Sequence, residues 1–179
     1  MITAEKLREF LEYDPNTGVF RWRFPRVGVR RDRNSIAGTV SKKDGYRIIQ
    51  INGNLGKAHR LAWLYVHGRW PANQIDHING IRDDNRITNL REATNAENAR
   101  NAKRLRSNKS GYKGVYWHKS NRRWIAQVNI DGRCSHLGSF GTAEAAHAAY
   151  CDAATKHYGE FARLDTQPID TPWNPTHDR

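Results

Sequence analysis

Acidic residues are scarce in this chain. Against 30 Lys and Arg stand only 18 Asp and Glu, giving a formal net charge of +12 and a pI near 10.1. A protein with that imbalance is a poor match for cationic partners and a good one for a polyanion. The deficit is also local: residues 98–130 hold nine Lys or Arg and no Asp or Glu. Cysteine is nearly absent. Cys134 and Cys151 are far apart and show no C-x-x-C spacing, so no zinc knuckle can be built from them and no structural zinc is expected. Both thiols read as free, as in a reducing cytosol. No run approaches 18 apolar residues, which excludes a helical membrane span, and Met-Ile-Thr-Ala-Glu-Lys has no apolar signal core. Apolar content is modest at 37%, with a mean hydropathy of −0.87. Six Trp, seven Tyr and five Phe in 179 residues still suffice for one or two small domains.

What is present centres on residues 74–98. Gln-Ile-Asp-His-Ile-Asn-Gly opens with a short β-branched run carrying Asp76 and His77, and Asn79-Gly80 turns the chain. A polar loop over 81–88 follows, with Asp83, Asp84 and Asn85 in a row. A second short strand is expected at 90–93. Thr94 and Glu97 have the spacing of a capping box, which puts Asn98 in the first turn of a helix expected to run to Lys103. Strand, loop, strand and helix bring a carboxylate, an imidazole and a late amide toward one another.

The pattern Asp76-His77-Ile78-Asn79-Gly80, then Asn85-Arg86-Ile87-Thr88-Asn89-Leu90-Arg91, then Asn95 to Asn98 resembles the HNH nuclease motif, the ββα-metal fold, and in particular the HNH homing endonucleases of phages and mobile introns. The resemblance implies His77 as general base, Asp76 and Asn98 as ligands of one divalent metal, and Asn89 as the amide that ties the loop. The residue types suit the chemistry. A neutral histidine, with an ordinary pKa of about 6.5, can take a proton from water at pH 7. A hard cation such as Mg²⁺, with Mn²⁺ tolerated, takes oxygen ligands and keeps several waters, so one carboxylate and one amide suffice. An ordinary polar pair at a strand end is the bland reading of Asp76-His77, and the loop, Asn89 and the capped helix in register weigh against it.

Upstream, Thr3 is expected to cap a helix over 4–13 with Leu7, Phe10 and Leu11 as its apolar stripe. Residues 14–18 (Asp-Pro-Asn-Thr-Gly) signal a turn, and 19–23 a strand. Residues 25–34 form a basic loop. A meander is expected next, with strands over 36–40, 46–51 and 55–59. A helix over 60–66 follows, ended by Gly68, with Leu61, Leu64 and Tyr65 on one face. His59-Arg60-Leu61-Ala62-Trp63 resembles a run that precedes the Asp-His motif in phage HNH proteins. His59 and Arg60 are candidates to touch a phosphate, or equally a packing pair at a strand-helix junction.

Residues 106–110 read as a linker, with Ser107-Asn108-Lys109-Ser110-Gly111 a flexible boundary. Beyond it, 111–164 reads as three strands (114–118, 124–130 and one within 134–140) and an Ala-rich helix from Thr142 to about Tyr158, closed by Gly159. Alternation puts Trp124, Ala126, Val128 and Ile130 toward the helix, opposite Ala145, Ala146, Ala149 and Ala153. Ile125, Gln127 and Asn129 are left to face a ligand. Tyr112-Lys113-Gly114-Val115, Trp124-Ile125-Ala126-Gln127-Val128, Leu137-Gly138-Ser139-Phe140 and Thr142-Ala143-Glu144-Ala145-Ala146 resemble the AP-two DNA-binding domain of plant ethylene-response factors. The resemblance places DNA contacts on Lys113, Tyr116, His118, Arg122, Arg123, Gln127, Asn129 and His136. Several of these are Arg or Trp in the plant proteins, so the plant target sequence does not carry over. Residues 165–179, with three prolines, read as an extended tail.

The sequence is thus read as an α+β protein. A β-rich unit with a ββα-metal motif (1–105, core 73–104) precedes a three-stranded antiparallel sheet with one helix. The expected activity is metal-dependent endonuclease cleavage of double-stranded DNA, as a phage homing enzyme acting on DNA in the cytoplasm of the host cell. It is expected to need no protein partner, as a monomer or a dimer assembled on DNA. A DNA-binding regulator with an inert nuclease fold is the alternative. An RNA-directed protein is a third reading, less suited to strand-face readers because A-form RNA hides its major groove.

Overall fold

The computed structural model describes residues 2–24, 34–104 and 107–164. The basic loop at 25–33 and the tail at 165–179 lie outside the described residues. The chain divides into two compact units, one through Asn98 and one from Ala99 onward. Its architecture is α+β, with four small antiparallel sheets among the described residues.

The first unit opens with α1 (Ala4–Phe10), capped by Thr3, whose side chain accepts from the Lys6 amide. The helix expected to reach Tyr13 stops at Phe10. Leu11–Asp14 is instead a strand, β1, paired with β2 (Val19–Trp22) around the turn at 14–18. Leu7 and Leu11 fit a helical period, but Leu11 and Tyr13 also fit a period of two. The second wins because Leu11 and Tyr13 sit opposite Trp22 and Phe20, and all four are buried. The meander follows as β3 (Thr39–Val40), β4 (Arg47–Ile51) and β5 (Asn54–Lys57). Helix α2 (Ala58–His67) begins earlier than expected, so His59 is helical, and Gly68 closes it in a left-handed conformation. Leu61 and Leu64 pack with Leu7, Leu11, Phe20 and Ile49 in a single apolar cluster. Ile75 and Leu90 join that cluster from β6 (Gln74–His77) and β7 (Leu90–Ala93), the two strands of the Asp-His hairpin. Helix α3 (Asn95–Arg100) starts on the expected capping box: Glu97 accepts from the Thr94 amide, and Thr94 Oγ1 accepts from the Glu97 amide. It ends at Arg100, short of Lys103.

In the second unit β8 (Val115–His118), β9 (Arg123–Ile130) and β10 (Arg133–Phe140) form a sheet in the order 10-9-8, backed by α4 (Ala143–Tyr158). Trp124, Ala126 and Val128 are buried, with Ala146, Tyr150 and Ala154 buried on the helix. Ala145, expected to pack there, is exposed, because the buried stripe runs through 143, 146, 150, 154 and 158. Ile125, expected to be open, is buried between its cross-strand neighbours Tyr116 and Ser139. The expected flexible boundary is bonded in place where it is described. Asn108 Nδ2 donates to Tyr112 O at 2.8 Å, and Ser110 Oγ, in a buried residue, donates to Val115 O at 2.8 Å.

One close approach couples the N-terminal hairpin to the Asp-His loop. Gly18 has φ +73, and a Cβ there would lie 2.4 Å from the Arg86 nitrogen and 2.5 Å from the Asn85 carbonyl carbon. Both atoms are backbone and cannot swing aside. Gly18→Ala is therefore expected to destabilise the first unit by about 2–4 kcal/mol, from left-handed strain and overpacking together. Denaturant unfolding of the full chain checks this.

Candidate active site

Strand alternation sorts the hairpin's side chains. Gln74 and Asp76 share one face of β6, and Ile75 and His77 share the other. Asp76 and His77 are the last two residues of the strand, so the two faces meet at its end. Register places Arg91 directly opposite Asp76. Its Nε and Nη2 donate to Asp76 Oδ2 at 3.0 and 2.8 Å, in a pair of which little is exposed. Asn98, in the first turn of α3, donates its Nδ2 to Gln74 Oε1. Asn98 thus stands on the Asp76 side of the hairpin.

The loop between the strands is closed by one amide. Asn89 Nδ2 donates to Asn79 Oδ1 at 3.0 Å and to Asp84 O at 2.8 Å, while its Oδ1 accepts from the Asn79 amide at 3.0 Å. Further ties grip the loop from outside. Tyr13 Oη donates to Asn85 O at 2.7 Å, and Arg47 makes a two-pronged pair with Asp83 at 2.9 Å on both arms. Arg86 and Asn79 hold Asp84, and the Arg86 guanidinium draws its carboxyl down to about 2. The loop's acids are thereby neutralised by local partners.

Held this way, Asn85 is 1% exposed and its Oδ1 lies 3.4 Å from His77 Nε2, oriented by Nδ2 donating to Asp83 O. His77 is 4% exposed, and burial pushes its pKa below the ordinary value despite Asn85 and Asp76, which favour the charged form. His59 packs edge-on against it with ring centroids 5.1 Å apart. Tyr46 lies 4.9 Å from His59 and 5.9 Å from His77. His59 is 5% exposed, and burial, then His77 and Lys57, bring its pKa down to about 3. Both imidazoles are neutral at pH 7.

Of the sequence-derived site residues, Asp76, His77, Asn89 and Asn98 gather around one hairpin. His59 does not reach outward as a phosphate contact: it is buried against His77. Arg60 is turned to Asn73 O and the Trp70 ring. Among the described residues no group of three or more His, Cys, Asp or Glu is arranged to hold a metal. The oxygen donors of Asp76 and Asn98 are nonetheless the hard kind that Mg²⁺ takes. With the Asn98 nitrogen on Gln74, its oxygen is the end left for a cation, while Asp76 would have to share its carboxylate with Arg91. Asn85, Arg91 and Tyr46 join the site without a role in the sequence pattern. The first two lie within the quoted motif, and the register of the hairpin marks Arg91. Tyr46 carries no sequence signal.

In the second unit Arg123, Gln127 and Asn129 alternate onto one face of β9. Their cross-strand partners His118, His136 and Cys134, and Tyr116 beside Ile125, share that face. Five of the candidate DNA contacts other than Arg123 therefore line the sheet surface opposite α4: Tyr116, His118, Gln127, Asn129 and His136. Arg122 sits in the β8–β9 turn with positive φ. Lys113 departs from expectation, since its ammonium donates to Arg100 O and Ala102 O and is committed to the backbone.

Hairpin, tied loop and capped helix in one unit and a helix-backed sheet in the other define an HNH-type nuclease domain with an AP2-type DNA-binding domain. The HNH endonuclease family matches residues 57–100, and the AP2 domain family matches residues 110–160. Protein 3.8 of Escherichia phage T7 is 33% identical over 109 residues, covering 60% of this chain and 89% of that protein. The chain belongs to the same family as this phage protein, and it carries an HNH endonuclease domain and an AP2 domain. No solved structure matches it.

The buried pair His59 and His77 makes stability depend on pH. In the unfolded chain each takes up a proton near 6.5, whereas burial in the fold lowers both, His59 to about 3. Their contribution is complete above pH 6.5 and is lost as pH falls. His59 alone is expected to lower the unfolding free energy by about 1.4 kcal/mol per pH unit below 6.5, and His77 acts in the same direction. His59→Phe should remove the His59 part of that loss. Denaturant unfolding at pH 7, 6 and 5 checks both.

Proposed function

We propose that this protein is a metal-dependent endonuclease that hydrolyses phosphodiester bonds of duplex DNA, with Mg²⁺ as the working ion. The observation that carries the reading is the end of β6. A neutral, buried His77 held beside Asn85 stands next to an oxygen-donor face made by Asp76 and Asn98. A bound cation there supplies Lewis acidity to the scissile phosphate and the leaving oxygen. His77 accepts a proton from the attacking water. Asn89 fixes the loop that holds Asn85 against His77, and the dry surroundings keep the imidazole uncharged until it acts. Residues 1–105 do the cutting and residues 111–164 position the duplex. Gln127, Asn129 and His136 read base edges, and Arg122 and Arg123 contact phosphate. One site per chain nicks one strand, and a double-strand break takes two chains on the DNA. The phage relative supports a role in phage biology, and we place the protein there as a free-standing homing enzyme acting on DNA in the host cytoplasm. A regulator with an inert nuclease fold is the second reading. The observation in its favour is the Asp76–Arg91 pair, which already occupies the carboxylate.

His77→Ala is expected to lower single-turnover cleavage by about 10²–10⁴-fold while duplex affinity stays close to wild type. Cleavage at the wild-type rate by this variant overturns the assignment of the base. Asp76→Ala and Asn98→Ala are each expected to raise the Mg²⁺ concentration needed for half-maximal cleavage at least tenfold or to remove activity, as read from a Mg²⁺ titration. An unaltered titration removes them as ligands.

A further inference from the structure

The cations around the loop end of the hairpin differ in their partners. Arg47, Arg86 and Arg91 are each bound two-pronged to a carboxylate. Lys57 and Arg82 are not. Lys57, the residue just before α2, has its Nζ 4.1 Å from the ring centroid of Tyr46. The carboxylate facing it, Asp44, is 3.9 Å away, and both side chains are well exposed. Arg82, from the loop, places its guanidinium carbon 5.0 Å from the same centroid, anchored by Nη1 donating to Asp44 O at 2.8 Å. Two like charges thus converge on one aromatic ring. The ring's quadrupole and a backbone carbonyl offset their repulsion, and nothing in the core requires the arrangement, since both side chains lie at the surface. The ring that gathers them is the one packed against His59 and His77.

We propose that Lys57 and Arg82, gathered on Tyr46, form a clamp that seats a phosphodiester of the DNA backbone beside His77. The clamp deepens the nuclease reading and rests on it for the identity of the polymer. It assigns Tyr46 as a positioning residue that spaces two charges and braces the histidine pair, and it separates these two cations, which meet the DNA, from Arg47, Arg86 and Arg91, which are held on carboxylates. A point-charge lysine and a forked arginine together grip one phosphate without reading sequence.

The test uses the full-length chain, with Lys57→Ala, Arg82→Ala, the double variant, and the charge-conserving Lys57→Arg and Arg82→Lys. Affinity for a duplex is measured by fluorescence anisotropy without divalent cation across a salt series, and single-turnover cleavage is measured with Mg²⁺. Each alanine variant should weaken binding by about three- to tenfold and lower the magnitude of the log K against log salt slope by about 1. The double variant should lower it by about 2, with thermal unfolding near wild type. The charge-conserving variants should keep the wild-type slope. A double variant with an unchanged slope overturns the clamp and leaves the nuclease reading standing. A wild-type chain that binds duplex but cuts nothing in Mg²⁺ or Mn²⁺ overturns the nuclease reading, while the slopes still decide whether Lys57 and Arg82 hold phosphate.

Discussion

The Asn89 side chain is the constraint on which the site depends. Its amide makes two donor bonds and accepts a third, all within the loop between β6 and β7. Without them, a polar segment rich in Asn and Asp has many local hydrogen-bonding options and no apolar anchor of its own. With them, Asn85 is carried inward against His77, and Asp83 and Asp84 are turned toward Arg47 and Arg86. The N-terminal hairpin and the meander then act as outer braces, through Tyr13 on the Asn85 carbonyl and Arg47 on Asp83. The small core of the first unit serves the same end, because Ile75 and Leu90 anchor the two strands that carry the loop.

A strongly basic protein with two uncharged histidines in contact presents an electrostatic problem that burial resolves. In water a histidine near other cations is easily kept neutral, but it is also mobile. Here His59 and His77 are excluded from solvent, braced by Tyr46, and surrounded by loop acids already paired to arginine. The arrangement gives His77 a fixed orientation and leaves it able to accept a proton at neutral pH. Desolvation of this kind costs stability in acid, which a structural histidine at the surface would not do.

Much of this was legible in the sequence where local chemistry decides the structure. The Thr94–Glu97 capping box, the Thr142 cap, the Gly68 stop and the two-residue period of β9 all act within a few residues, and each appears where the sequence places it. The errors arise where a distant partner decides. Leu11 and Tyr13 fit a helix until Phe20 and Trp22 are set opposite them. Ile125 reads as open until its neighbours across the sheet cover it. Lys113 looks like a phosphate contact, yet Arg100 and Ala102 offer it carbonyls. His59 reads equally as a phosphate contact or a packing residue at a strand-helix junction, and α2, starting two residues earlier than expected, buries it against His77. Arg91 and Tyr46 went unassigned for the same reason: one matters through strand register, and the other through packing between elements far apart in sequence.

Cation-dependent hydrolysis at the end of β6 is the proposal on which the functional reading rests. Its most direct test is conversion of supercoiled plasmid to open circle by the wild-type chain, in Mg²⁺ and in excess chelator. Nicking in Mg²⁺ and none in chelator is the expected result. Intact plasmid in both, under conditions where the protein is shown to bind the DNA, would contradict it.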